Sequence, residues 1–84
     1  MPINETPPVE IQVLPVEFQD LYRELPPLVT REVAFEKAPI FSPRTMANYD
    51  CRGLGPASRS RIGPKVVYTR LDYVVWLAAQ RRDI

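Results

Sequence analysis

The chain has 84 residues, with 11 basic and 10 acidic side chains, one cysteine and no histidine. A chain of this length forms one small domain, because it buries only about 60–65% of its unfolded surface and cannot support a second core. The lone cysteine excludes an internal disulfide, and without histidine the usual zinc ligand and the usual general base near neutral pH are missing. We therefore expect no metal site, no cofactor and no enzyme activity.

The net charge of +1 hides an uneven division along the chain. Residues 1–27 carry five acids and one base, whereas residues 28–84 carry ten bases and five acids. This division predicts a basic body that meets a polyanion and an acidic segment with a different role. The uncharged stretches are far shorter than the roughly 20 apolar residues of a membrane span, and the start lacks a secretory signal, so we expect a soluble cytoplasmic protein.

Residues 1–27 form a proline-rich extension that holds six of the ten prolines. Proline blocks helix continuation and favours extended backbone, so we expect residues 1–8 to be disordered. Val9, Ile11 and Val13 then alternate with polar residues, and this period of two predicts a short strand with one apolar face. Such a strand could pair with the sheet edge of another copy or protein, or pack on its own domain.

An amphipathic helix is predicted from Val16 to Leu25, and the proline pair that follows would end it. Its apolar face could enlarge the core of its own domain, as a small protein needs, or it could serve self-association. The candidate residues for self-association in this extension are Val9, Ile11, Val13, Phe18, Leu21 and Tyr22.

The basic body, residues 28–84, begins with a predicted helix over residues 31–37. Thr30 can cap its first turn by accepting a backbone hydrogen bond. The segment Ala38-Pro39-Ile40-Phe41 interrupts the helical pattern, because the residue before a proline avoids helical geometry. Its apolar residues suit a turn buried between two helices, which predicts a helix-turn-helix.

The second helix of the body has the clearest start in the chain. Ser42 is followed by proline, the preferred pair for an N-cap and a first helical position, so we predict a helix over residues 43–52 that ends at Gly53. Met46 and Tyr49 are three residues apart and should face the core. The other side of this helix then carries Arg44, Thr45, Asn48 and Arg52.

A β-hairpin follows, because residues 58–62 and 65–68 flank Gly63-Pro64 as two strands flank a tight loop. We interpret it as a wing, with basic residues Arg59, Arg61 and Lys65.

The last predicted helix covers residues 70–82. Thr69 and Asp72 have the spacing of a capping box at its start. Its core-facing stripe is Tyr73, Trp76, Leu77 and Gln80.

The helix that starts at Ser42 offers the chemistry that DNA base edges require, since arginine can bind guanine and asparagine can bind adenine through two hydrogen bonds each. From Ser42 to Arg70 there are six bases and a single acid, Asp50. The alternative is an ordinary solvated surface, but the excess of positive charge favours double-stranded DNA as the partner. Candidate contacts are Ser42, Arg44, Thr45, Asn48 and Arg52 on the helix and Arg59, Arg61 and Lys65 on the wing.

One copy of so small a domain should bind DNA weakly, since each good base contact contributes only about 1–3 kcal/mol. Useful occupancy then needs several copies side by side, and residues 1–27 are the natural link between them.

Short motifs in the body follow the order and spacing of one known family. They are Ser42-Pro43-Arg44-Thr45-Met46, Tyr49, Arg52-Gly53-Leu54-Gly55-Pro56, Ile62-Gly63, Val66 to Tyr68, and Asp72 with Trp76-Leu77-Ala78-Ala79. From about Leu28 to Arg82 the chain resembles the MerR-like winged-helix excisionases, or recombination directionality factors, of phages and integrative elements. The acidic extension lies outside the shared motifs.

The resemblance implies a mainly α fold with a small β-hairpin wing, a MerR-like winged helix-turn-helix preceded by an N-terminal extension. It also implies a non-catalytic protein of the bacterial cytoplasm and nucleoid that binds attachment-site DNA cooperatively, bends it and biases an integrase toward excision. Some relatives regulate transcription instead, so a small winged-helix regulator of a mobile element is the alternative. A third hypothesis is a protein-interaction adaptor that does not touch DNA.

Overall fold

The structure is a computed structural model that describes residues 7–82, about half of which are helical. Its elements are α1 (Val9–Gln12), α2 (Val16–Glu24), β1 (Leu28–Thr30), α3 (Arg31–Lys37), α4 (Pro43–Cys51), β2 (Ser60–Ile62), β3 (Lys65–Thr69) and α5 (Arg70–Ala79). Disorder is expected for residues 1–8, and residues 1–6 of this stretch lie outside the part of the chain that the structure describes. None of the helices within residues 7–82 has the length and apolar character needed to cross a bilayer.

The starts of α3, α4 and α5 are confirmed. Their N-caps are Thr30, Ser42 and Thr69, whose hydroxyl oxygens each accept a hydrogen bond from the backbone N–H three residues on, at 3.1, 3.2 and 3.3 Å. The capping box of α5 is incomplete, because the Asp72 carboxylate accepts from the Thr69 hydroxyl at 3.2 Å. The Thr69 backbone N–H donates instead to the Ser58 hydroxyl. α5 also ends at Ala79, before the predicted end at residue 82.

The three strands form an antiparallel sheet in the order β1-β3-β2. β2 and β3 are the predicted hairpin, and the first residue of their two-residue loop, Gly63, has a φ of 59°, as a type II′ turn requires. β1 is absent from the sequence-based prediction, because three residues are too few to show an alternation. Val29 of β1 pairs with Tyr68 of β3, and both are buried, so β1 extends the sheet over the core.

An aromatic cluster around Trp76 joins α5 to both ends of α4. The ring centroid of Trp76 lies 5.3 Å from that of Phe41 and 5.5 Å from that of Tyr49. Its indole N–H donates to the Leu54 carbonyl at 2.8 Å. Phe41 belongs to the turn before α4 and Leu54 to the loop after it. The predicted role of Trp76 in the core is confirmed, and this side chain holds α4 at both ends.

The strand expected over Val9 to Val13 is wrong, because these residues form α1 and the turn that ends it. Ile11 is fully buried, whereas Val9 and Val13 are exposed. Pro8 stands at the N-cap of α1, where the lack of an N–H costs nothing. In a helix, side chains two positions apart lie on nearly opposite sides, so Ile11 packs into the core while its two apolar neighbours in the pattern remain at the surface.

The acidic extension is part of the same core as the basic body. α2 is confirmed as a helix, and its Tyr22 lies under the Arg70 guanidinium, 4.2 Å from the ring centroid. Arg70 also donates to the Leu25 carbonyl at 3.1 Å, and Arg81 forms a 3.0 Å ion pair with Glu17. The change of composition near residue 27 therefore does not mark the edge of the core.

Replacement of Ile11 by alanine should lower the free energy of unfolding by about 2–5 kcal/mol, because it leaves a cavity in the shared core. Val13→Ala is the matched control, since that side chain is 75% exposed and its loss should change stability little. Urea denaturation followed by circular dichroism measures both. Equal stability of the two variants would show that α1 does not contribute to the core.

Candidate nucleic-acid interface

Three of the predicted contact residues lie along the exposed side of α4, Arg44 and Asn48 within the helix and Arg52 at its C-cap. Arg44, Asn48 and Arg52 are each four residues apart, so they lie one above another along a single side of the helix. All three are exposed, while Met46 is fully buried and Asp50 is 7% exposed on the opposite side. The structure therefore presents two guanidinium groups and one amide in a row.

The other two predicted residues of this helix shape its first turn. The Ser42 hydroxyl accepts from the Thr45 backbone N–H at 3.2 Å and donates to the Thr45 hydroxyl at 3.1 Å. Both side chains are partly buried. Ser42 has thereby used its only hydroxyl proton, while Thr45 keeps its own proton to donate to a ligand.

The hairpin separates its basic residues onto two faces. Arg61 pairs directly with Val66, and residues opposite each other in an antiparallel pair share a face. Tyr68, two residues beyond Val66, is on that face too, and its hydroxyl reaches α4. Arg61 therefore projects from the side of the sheet that faces α4. Lys65 lies on the other face and pairs with Glu32 at 3.3 Å, apart from the other predicted contacts.

Arg59 ties the beginning of the hairpin to the end of α4. Its Nη1 donates to the main-chain carbonyl of Asp50 at 2.9 Å and lies 3.8 Å from a carboxylate oxygen of the same residue. About half of the Arg59 side chain remains exposed. This residue is both a structural link and a cation at the surface between α4 and the hairpin.

We define the basic surface as Arg44, Asn48, Arg52, Arg59 and Arg61. Within residues 7–82, the side chains of Arg44, Arg52 and Arg61 form no ion pair. Arg70, which belongs to the same charge-rich stretch of sequence, points instead toward α2. Of the six bases between Ser42 and Arg70, Arg44 and Arg52 thus lie on the exposed side of α4, and Arg59 and Arg61 lie at the start of the hairpin that follows it.

The single acid of this stretch, Asp50, is inside the protein. Its Oδ2 accepts from the Tyr68 hydroxyl at 2.5 Å and from Arg31 Nη2 at 2.7 Å, and Arg31 Nε donates to the Tyr68 hydroxyl at 3.0 Å. Burial and the hydrogen bond to Asp50 raise the pKa of Tyr68 to about 12. The Asp50 carboxylate therefore joins α3, α4 and β3, and of the basic surface it lies within ion-pair distance of Arg59 alone, at 3.8 Å.

In a count of charges Asp50 is only a counter-charge, although its position in the helix indicates that it is buried. Asp50 follows Met46 by four residues, so helical spacing places it on the core-facing side. A carboxylate there needs paired donors, because an unpaired buried charge is strongly disfavoured. The partners, Arg31 and Tyr68, come from distant parts of the chain, and no local pattern identifies them.

The six residues expected to support self-association occupy three environments, and the first is open surface, where Val9 and Val13 are exposed. Ile11 and Tyr22 are buried in the core of their own chain. Phe18 and Leu21 line an apolar groove of about 460 Å³ between α2, the end of α5 and the turn that contains Ile40.

Two buried tyrosines give a test of the Asp50 network. Tyr68→Phe should lower the free energy of unfolding by about 1.5–3 kcal/mol, because it removes a buried hydrogen bond to a charged group. Tyr73→Phe should leave stability unchanged or raise it, since within residues 7–82 the buried Tyr73 hydroxyl has no hydrogen-bond partner. Urea denaturation of both variants measures the difference, and similar losses from the two would contradict the network.

Comparison with known proteins identifies no relative: no family model, no curated protein and no solved structure matches the chain.

Proposed function

We propose that the chain binds double-stranded DNA as a winged helix-turn-helix protein, with α3 and α4 as the helix pair and the β2–β3 hairpin as the wing. In this proposal α4 is the recognition helix and lies in the major groove. The observation that carries the proposal is the exposed row of Arg44, Asn48 and Arg52, in which neither arginine is neutralised by a described carboxylate.

The dimensions and chemistry of α4 suit this role. An α-helix with its side chains is about 10–12 Å across, and the major groove of B-DNA is about 12 Å wide and admits it. Arg44 lies in the first turn of α4 and Asn48 one turn further on, and their side chains can bind guanine and adenine through paired hydrogen bonds. Arg61 at the wing and Arg59 beside it can contact the neighbouring phosphates.

The electrostatic part of binding should be modest. If about four arginines reach phosphates, the logarithm of affinity should fall with the logarithm of salt concentration at a slope of roughly −4. A single copy would then bind weakly at physiological salt, so we propose that several copies bind side by side on one DNA.

Alanine replacement of Arg61 should weaken binding to a short duplex and make the salt slope less steep by about one, whereas replacement of Arg44 should weaken binding mainly through the loss of a base contact. Arg23→Ala is the matched control, because Arg23 lies on the acidic α2 and pairs with Asp20. Mobility-shift titrations at several salt concentrations measure all three variants. Failure of the unmodified chain to shift any duplex at low salt would contradict DNA binding and favour the adaptor hypothesis.

Within this proposal, the resemblance of residues 28–82 to MerR-like excisionases favours a role in excision of a mobile element. Several copies would coat and bend attachment-site DNA and bias an integrase toward excision. A bacterial nucleoid location follows from the same resemblance. A promoter-binding regulator is the second candidate, since it would use the same contact residues.

DNase footprinting on the DNA of the mobile element separates these two roles. An excision factor should give a long protected region at the attachment site that appears over a narrow range of protein concentration, because neighbouring copies bind cooperatively. A compact protected site confined to a promoter would overturn the excision role and leave the regulator.

A further inference from the structure

The Asp50 carboxylate is the point at which the two proposed DNA-binding elements meet. It belongs to α4, between Asn48 and Arg52, yet its bonds run to Tyr68 on the central strand of the sheet and to Arg31 on α3. Because Arg31 also donates to the Tyr68 hydroxyl, the three side chains form a closed set in which each bonds both others. The Asp50 side chain is only 5% exposed, so water does not compete for these bonds.

The loop from α4 to the hairpin packs on the same carboxylate. Gly55 approaches the Asp50 side chain so closely that a Cβ atom at this position would overlap Oδ1. Gly55 does not have a positive φ, so glycine is needed here for space alone. Arg59, at the end of this loop, bonds the Asp50 main-chain carbonyl. The loop, the hairpin and α3 are therefore all located by contacts with one residue of α4.

We propose that Tyr68 and Asp50 are positioning residues that fix the angle between the recognition helix and the wing and thereby determine discrimination between DNA sequences. The inference rests on the DNA binding proposed above. Neither side chain contacts DNA in this proposal. They act through Arg44 and Asn48 on one element and Arg61 on the other.

Discrimination between DNA sequences depends more strongly on the angle between α4 and the wing than general affinity, the affinity for DNA of any sequence, does. Attraction to phosphates follows the number of cations near the duplex, and it tolerates small changes in their placement. Paired hydrogen bonds to a base edge require the side chain to be held within about 0.5 Å and 10–20° of the correct geometry. A change that loosens α4 against the wing without altering charge should therefore reduce discrimination and spare general affinity.

Tyr68→Phe is such a change, because it removes one hydroxyl and leaves every charge in place. Tyr73→Phe is the matched control, since it removes the same group from a neighbouring ring in the core, 6.2 Å away between centroids. A preferred duplex is first selected from a randomised pool with the unmodified chain. The affinities of the unmodified chain and both variants are then measured for this duplex and for a scrambled duplex of equal length.

We expect Tyr68→Phe to bind the scrambled duplex within twofold of the unmodified chain and to lose about tenfold in preference for the selected duplex, equivalent to one paired base contact. Tyr73→Phe should retain the full preference. If Tyr68→Phe loses the same factor of affinity for both duplexes, Tyr68 has only a structural role and the inference is overturned. An unchanged preference of this variant for the selected duplex would overturn it as well.

Two further outcomes are distinguishable. If the unmodified chain binds no duplex, the proposed function itself fails; if it binds every sequence equally, DNA binding stands and the positioning role is overturned. Should Tyr68→Phe not fold, Gly55→Ala provides the second variant, because it crowds the Asp50 carboxylate while keeping the hydroxyl and all charges. The same tenfold loss of preference is expected for it.

Discussion

The buried Asp50 carboxylate is the constraint on which the arrangement of α3, α4 and the sheet depends. Transfer of a carboxylate out of water is costly, and this cost is offset only when cationic and hydroxyl donors surround the charge. Here the donors are Arg31 and Tyr68, which come from separate elements. The elements must therefore be in place together. Because this acid bonds donors inside the protein, Arg44 and Arg61 on the surface form no ion pair with it.

The parts of the fold that depend on neighbouring residues could be predicted. The starts of α3, α4 and α5 follow from Thr30, Ser42 and Thr69, because a capping hydroxyl acts on a backbone N–H only three residues away. The hairpin follows from Gly63-Pro64 in the same way, since a two-residue loop needs a positive φ at its first position. The exposed row on α4 follows from these local rules together with helical spacing.

The parts that depend on distant contacts could not be predicted. The alternation around Ile11 predicts a strand, whereas the chain forms a helix there and buries Ile11 in a core built by distant residues. A count of charges does not show which way each basic side chain points. Lys65 pairs with Glu32 on the far face of the sheet, and Arg70 donates to the Leu25 carbonyl after α2. The partners of Asp50 could not be identified from the sequence either, because they are distant in the chain and meet only after folding.

The position of Trp76 makes the intrinsic fluorescence of the chain sensitive to the loop between α4 and the hairpin. It is the only tryptophan in the sequence, and its indole N–H bonds the Leu54 carbonyl in the loop between α4 and the hairpin. Indole emission shifts in wavelength when this bond is lost and water enters. A displacement of that loop that breaks this bond should therefore change the intrinsic fluorescence of the unlabelled protein.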